Sequence, residues 1–131
     1  MIFVDTSAFL ALLDMGDENH ERATRQWDTL LEKGQECATN SYVILESIAI
    51  AQKRLGLQAV QDLSEQVLEH IHTDWIDKVE HTQALKMVLA TKRRRLSMVD
   101  CTAFQSMRRL EIETAFTFDS HFRQQGFKVI P

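Results

Sequence analysis

The chain begins Ile2-Phe3-Val4-Asp5-Thr6-Ser7-Ala8-Phe9, three apolar residues followed at once by a carboxylate and two hydroxyls. A short unbroken apolar run bounded by polar residues suits a strand buried on both faces, as in a parallel sheet covered by helices. Asp5 then stands at the carboxyl end of that strand, the edge at which open α/β sheets bind ligands. Working outward, the arrangement recurs near the other end of the chain. There "TAFTFD", Thr114 to Asp119, again closes an apolar strand with an acid.

The segments between these two strands alternate in type. Thr6–Leu13 and Glu18–Leu31 are expected as helices, the second ending near Gly34, and a strand is expected around Cys37 and Ala38. Asn40 or Ser41 can cap the helix Ser41–Leu55, which Gly56 stops. A helix over Leu57–Glu69, a strand in "IHTDWI" from Ile71, helices over Val79–Leu89 and Ser97–Leu110, and a last strand in "FKVI" from Phe127 complete the pattern. Strands alternating with helices imply a parallel sheet with right-handed crossovers. A length of 131 residues fits one domain, 1–131, with a single core.

Composition limits the possible functions. The charge sum is 15 basic against 19 acidic residues, or −4, so no global positive field advertises a nucleic acid or a membrane. Any such contact has to be local. Cys37 and Cys101 lie far apart without metal-type spacing, and no leader-like segment precedes the first strand. These features predict a reduced, soluble, cytoplasmic protein, and no stretch is long and apolar enough to be a transmembrane candidate.

Four acids stand in places that do not suit a solvated charge. Glu46 follows Tyr42 and Val43 by a helical turn and precedes Ala49 and Ile50, which puts it in the middle of an apolar helix face. Asp100 repeats this among Leu96, Ala103, Phe104 and Met107, while Asp5 and Asp119 close strands. An isolated buried carboxylate costs several kcal/mol or becomes neutral, so these acids need a partner. A hard divalent cation such as Mg²⁺ takes oxygen ligands and fits that need. Each acid also has a structural alternative. Asp5 and Asp119 can cap helices, Ser97-x-x-Asp100 matches a capping box, and Glu46 can pair with Arg94 or Arg95. The joint pattern favours a site, because independent caps do not require two strand-end acids together with two acids on apolar helix faces.

Four motifs carry a family resemblance: "VDTSAF" at Val4–Phe9, "TNSYVILES" at Thr39–Ser47, "LSMVDCTAFQSMRRL" at Leu96–Leu110 and "AFTFDSHF" at Ala115–Phe122. In this order and spacing they resemble the successive acidic motifs of PIN-domain ribonucleases, in particular the VapC-like toxins of toxin–antitoxin pairs. The resemblance covers nearly the whole chain. It implies a three-layer α/β/α sandwich around a short, mainly parallel sheet, dependence on Mg²⁺ or Mn²⁺, cleavage of single-stranded RNA, a small antitoxin partner and a homodimer. It places the catalytic acids at Asp5, Glu46, Asp100 and Asp119, with Asp5, Asp100 and Asp119 as metal ligands. Thr6, Ser7, Thr117 and Ser120 are then supporting hydroxyls. One departure is visible: many members have Asn directly before the aromatic equivalent to Tyr42, whereas here Ser41 takes that place and Asn40 precedes it.

The implied chemistry is consistent with these residues. A carboxylate cluster alone repels a phosphodiester, and bound cations reverse that sign while activating and orienting the attacking water. Glu46 is then placed to orient that water or accept its proton. Lys92, Arg93, Arg94 and Arg95 precede the Asp100 helix, and Lys53, Arg54, Arg108 and Arg109 offer further phosphate contacts, although helix ends attract cations in any case. Other patterns carry less. His70-x-His72-x-Asp74 has metal-like spacing but suits an exposed edge strand better, and His20, His81 and His121 are scattered without a nucleophile. Trp27, Trp75, the phenylalanines and Cys101 are expected in the core.

Two other functions remain as alternatives. A catalytically inactive PIN-like module that binds RNA or protein would keep the basic surface and take no metal. A phosphorylated receiver domain fits worse, because the early sequence lacks paired acids at a strand end and Lys128 follows the last acid.

Overall fold

A computed structural model describes residues 1–131. Five strands, β1 (Ile2–Val4), β2 (Cys37–Asn40), β3 (Ile71–Asp74), β4 (Thr114–Phe116) and β5 (Lys128–Ile130), form one parallel sheet in the order β3-β2-β1-β4-β5. The helices are α1 (Thr6–Leu13), α2 (His20–Glu32), α3 (Ser41–Leu55), α4 (Leu57–Asp62), α5 (Lys78–Thr91), α6 (Met98–Arg109) and α7 (His121–Gln124). They cover the sheet as an α/β/α sandwich, as expected. From β1 the chain winds outward through β2 to β3, then crosses back to lay β4 against the other side of β1. The winding direction therefore reverses between β1 and β4, and the crevice at their carboxyl ends is the ligand-binding position of such sheets.

The core forms where the central strands meet the helices. Phe3 and Val4 of β1, Phe116 of β4, Phe9 of α1, Phe104 and Met107 of α6 and Phe122 of α7 are fully buried. Phe104 meets Phe122 edge-on at 5.0 Å between ring centroids, a favoured aromatic geometry. Cys37 and Cys101 are buried and unbridged, and Trp27 is buried on α2. Trp75 departs from expectation at 75% exposure. It lies just past the end of β3, an edge strand, where no helix reaches over it. In the metal-like triplet, His70 and His72 are exposed beside this edge strand, as expected, and Asp74 is taken up by an ion pair with Arg109.

Caps explain several boundaries. Asn40 ends β2 and accepts from the Tyr42 and Val43 amides at 3.0 and 2.9 Å, satisfying two free N–H groups of α3. Its amide nitrogen donates to Thr102 and Ser106 of α6, so one buried side chain ties β2, α3 and α6 together. Ser41 is free to accept from the Ile76 amide at 2.9 Å. Gly56 closes α3 at φ +90°, a conformation that other residues rarely adopt. The helix expected over Leu57–Glu69 is not continuous. After α4 it widens to a π turn at Leu63–Val67 and tightens to a 3₁₀ turn at Leu68–His70, keeping Leu63 and Val67 buried while Ile71 enters the edge strand. The strand expected through Asp119 stops at Phe116, and the four-residue α7 is too short for sequence periodicity to reveal.

Candidate active site

The carboxyl edge of β1 and β4 collects the polar residues that the core excludes. Asp5 leaves β1 and caps α1, with Oδ2 accepting from the Ser7 amide at 3.4 Å, the Ser7 hydroxyl at 2.9 Å and the Thr117 hydroxyl at 2.9 Å. Ser7 and Thr117 also touch each other at 3.0 Å, and Ser7 Oγ accepts from the Phe118 amide at 2.9 Å. The chain leaving β4 is thereby bound to the chain leaving β1. The Asp119 amide donates to Thr117 Oγ1 at 3.0 Å, which fixes where the next acid begins.

Capping is thus real for two of the acids, and it positions them. Asp100 forms the expected capping box, with its amide donating to Ser97 Oγ at 3.0 Å and its Oδ2 accepting from the Ser97 amide at 3.1 Å. Asp119 Oδ1 accepts from the His121 amide at 2.9 Å. Glu46 caps nothing. No ion pair forms between Glu46 and Arg94 or Arg95, both exposed on the loop before α6. Its helix face is less apolar than expected, since Ala49 is exposed and Tyr42 and Ile50 are half-buried.

The acids feel one another. Burial pushes the Asp5 carboxyl up to about 6, with the Thr117 and Ser7 hydrogen bonds opposing the rise and the Asp100 charge adding to it. At 4% exposure Asp5 has little water to solvate its charge. Glu46 is raised by burial and by the charge of Asp5, with Thr6 opposing. Burial also raises Asp100, helped by the charges of Asp119 and Glu46 and opposed by the Ser97 hydrogen bonds. Three acids raised in part by one another, with Asp119 acting on the third, form one electrostatic cluster.

Asp100, Asp119 and His121 each place a donor atom within 4.8 Å of the other two. His121 Nδ1 lies 2.8 Å from Asp119 Oδ1. His121 corrects the expectation that this histidine is scattered. Its signal was the Asp-x-His spacing just after a strand, which puts both side chains on one tight turn. Of the expected supporting hydroxyls, Ser7 and Thr117 bind Asp5, Thr6 is buried close enough to Glu46 to oppose the rise of its carboxyl, and Ser120 is exposed. The donors fit a hard divalent cation: carboxylate oxygens dominate, and the clustered negative charge calls for a counter-ion.

Two of the expected phosphate-binding cations are engaged elsewhere. Arg109 pairs with Asp74 and Glu80, and Arg108 donates to Gln125 and stacks over the Phe127 ring, while Lys53 and Arg54 lie in the last turn of α3, about 10 Å along the axis from Glu46. Lys92 to Arg95 are exposed on the loop before α6.

Comparison with known proteins identifies the family. The PIN-domain profile matches residues 2–128. A 23S rRNA-specific endonuclease of Mycobacterium tuberculosis, VapC20, is 32% identical over 133 residues, covering 97% of this chain and 95% of the relative. A crystal structure of VapC20, described as a sarcin-ricin loop cleaving toxin, superposes with a TM-score of 0.88 at 30% identity over 100% of both chains. FitAcB of Neisseria gonorrhoeae shares the fold at a TM-score of 0.67 and 15% identity, over 100% of this chain and 97% of that one. With its profile matched from end to end and a relative of this identity aligned over nearly its full length, the chain belongs to the PIN-domain family, as its four acidic motifs led us to expect.

Proposed function

We propose that this protein is a divalent-metal-dependent endoribonuclease and the toxin of a toxin–antitoxin pair, with Asp5, Glu46, Asp100 and Asp119 as its catalytic acids. The observation that carries the reading is the convergence of these carboxylates, drawn from four separate motifs, at the β1/β4 crevice, where neighbouring charges help to raise Asp5, Glu46 and Asp100. Asp5, Asp100 and Asp119 are the residues to hold Mg²⁺ or Mn²⁺: the donor atoms of Asp100 and Asp119 converge with that of His121, and Asp5, outside that trio, feels the Asp100 charge. A cation bound there supplies Lewis-acid activation of water and offsets charge on the phosphate. The protein's own part is positional and protolytic. Ser7 and Thr117 hold Asp5 through Oδ2, Ser97 holds Asp100, and the 119–121 turn holds Asp119 against His121. Glu46, its carboxyl raised and free of any ion pair, is the group suited to accept a proton from the attacking water.

The RNA cleaved by the relative, 23S rRNA, is the first substrate to test, with single-stranded RNA beside it. An antitoxin that inserts an Arg or Lys among the carboxylates would silence the site by replacing the cation's charge. Exposed Leu85 and Leu89, one turn apart on α5, support a homodimer, which light scattering reads directly. The deciding experiment is Asp100→Asn. The change removes charge and little volume, so Mn²⁺-dependent RNA cleavage is expected to vanish while the circular dichroism spectrum stays unchanged. Full activity with the same metal dependence would overturn the assignment.

A further inference from the structure

We propose that a phosphodiester-binding track for the RNA strand leaves the acidic crevice over Arg22, Arg123 and Arg25, on the β4–β5 side of the sheet. The inference rests on the ribonuclease reading above. A cleft of about 190 Å³ holds Asp119 and Thr117 together with Arg22, Phe118 and Arg123. A second cleft of about 210 Å³ is lined by Arg22, Arg25, Gln26 and Thr29 of α2. The two share Arg22 and Pro131, so they form one path from the site acid Asp119 down the face of α2.

Three properties suit this path to a nucleic-acid backbone. First, its guanidinium groups are free: Arg22, Arg25 and Arg123 are exposed and make no ion pair, although Asp119 lies in the same cleft and pairs with His121 instead. Second, Arg22 is held in place, its Cζ 5.5 Å from the centre of the Phe118 ring, so less side-chain freedom is lost when it meets a phosphate. Third, Phe118 lies between Thr117, which binds Asp5, and Asp119, and its amide donates to Ser7. The ring that seats Arg22 therefore belongs to the segment that builds the site. A strand whose scissile phosphate lies among the carboxylates carries neighbouring phosphates that need cations close by, and these arginines line the cleft that contains Asp119. Gln26 and Thr29 add polar contacts without sequence preference.

The test uses the full chain, a fluorescent single-stranded RNA of mixed sequence, and anisotropy titrations from 50 to 300 mM salt in Mn²⁺. Asp100→Asn serves as the non-cleaving background for binding, and the active protein serves for kinetics. Arg22→Gln/Arg25→Gln is expected to weaken binding roughly tenfold for every sequence and to lower the slope of log K against log[salt] by about 1.4, or about 0.7 for each phosphate left without its cation. Arg123→Gln is expected to lower it by about 0.7. In the active protein these variants raise KM and leave kcat within about twofold, and Arg22→Lys/Arg25→Lys restores most of the slope because phosphate binding needs the charge. An unchanged slope in the arginine variants, or loss of an acidic protein partner with RNA binding intact, would overturn the track. Failure of the wild type to cleave any RNA strikes the ribonuclease reading instead, and the binding titrations still decide the track.

Discussion

Replacing Asp5 by asparagine should make the metal-free protein more stable while removing its activity. The Asp5 carboxyl titrates at about 6 in the fold against 3.8 in an exposed chain, so keeping it ionised costs roughly 3 kcal/mol, at about 1.36 kcal/mol per pKa unit. The sign follows from proton counts. Below pH 3.8 folded and unfolded chains both hold the proton, between 3.8 and about 6 the folded chain holds more, and stability therefore falls as pH rises until the full cost is present above about 6. Asparagine never ionises, remains a good helix cap, and can still accept from Ser7 and Thr117, but its amide group puts a buried donor where a carboxylate oxygen stood, at a cost of roughly 1 kcal/mol. The net gain at pH 7 is about 2 kcal/mol, or roughly 8 °C in Tm for a chain of this length. The assay is urea unfolding of both proteins from pH 3.5 to 8 at fixed ionic strength, without metal and then with Mn²⁺. The difference between them should be near zero or slightly unfavourable at pH 3.5, grow through the window from about 4 to 6, and level off above it. Mn²⁺ should reverse the ranking, because a cation at a hundredfold excess over Kd stabilises the wild type by about 2.7 kcal/mol and the variant much less. A variant destabilised at pH 7, with a difference that stays flat across pH, would show that Asp5 is a cap and nothing more.

Other expectations follow from individual contacts. His121→Ala should weaken Mn²⁺ affinity about 10- to 100-fold by freeing Asp119, with little change in fold stability, as isothermal titration and a thermal melt read separately. Asn40→Ala should cost about 2 kcal/mol or more in urea unfolding, since it uncaps α3 and strips Thr102 and Ser106 of a buried donor; a loss below about 0.5 kcal/mol would contradict the network. A cognate inhibitor should lose affinity as Mg²⁺ rises, and one whose binding ignores both Mg²⁺ and changes at Asp5, Glu46, Asp100 and Asp119 acts somewhere else.

The sequence by itself determined the parallel sheet and the limits of α1 and α3, and it singled out the four acids of the proposed site. These rest on local physics: unbroken apolar runs, helical spacing, a glycine stop and carboxylates placed where burial penalises them. Asp5 and Asp100 could be read both as caps and as site residues; the structure shows the caps, and capping is compatible with the proposed site, because the hydrogen bonds that cap a helix also aim its acid. What lay beyond the sequence depends on what packs opposite each residue. Trp75 reads as core until β3 is seen to be an edge strand. Arg108 and Arg109 read as phosphate contacts until Asp74, Glu80 and Gln125 are seen to hold them. His121 and Asp119 meet Asp100 only when the 119–121 turn is brought against the start of α6, and Arg22 joins the crevice only because the amino-terminal turn of α2 comes to rest beside Phe118. Spacing along the chain carries the periodicities of helix and strand, but the meeting of residues a hundred positions apart is set by strand order, and strand order is decided by the packed sheet as a whole.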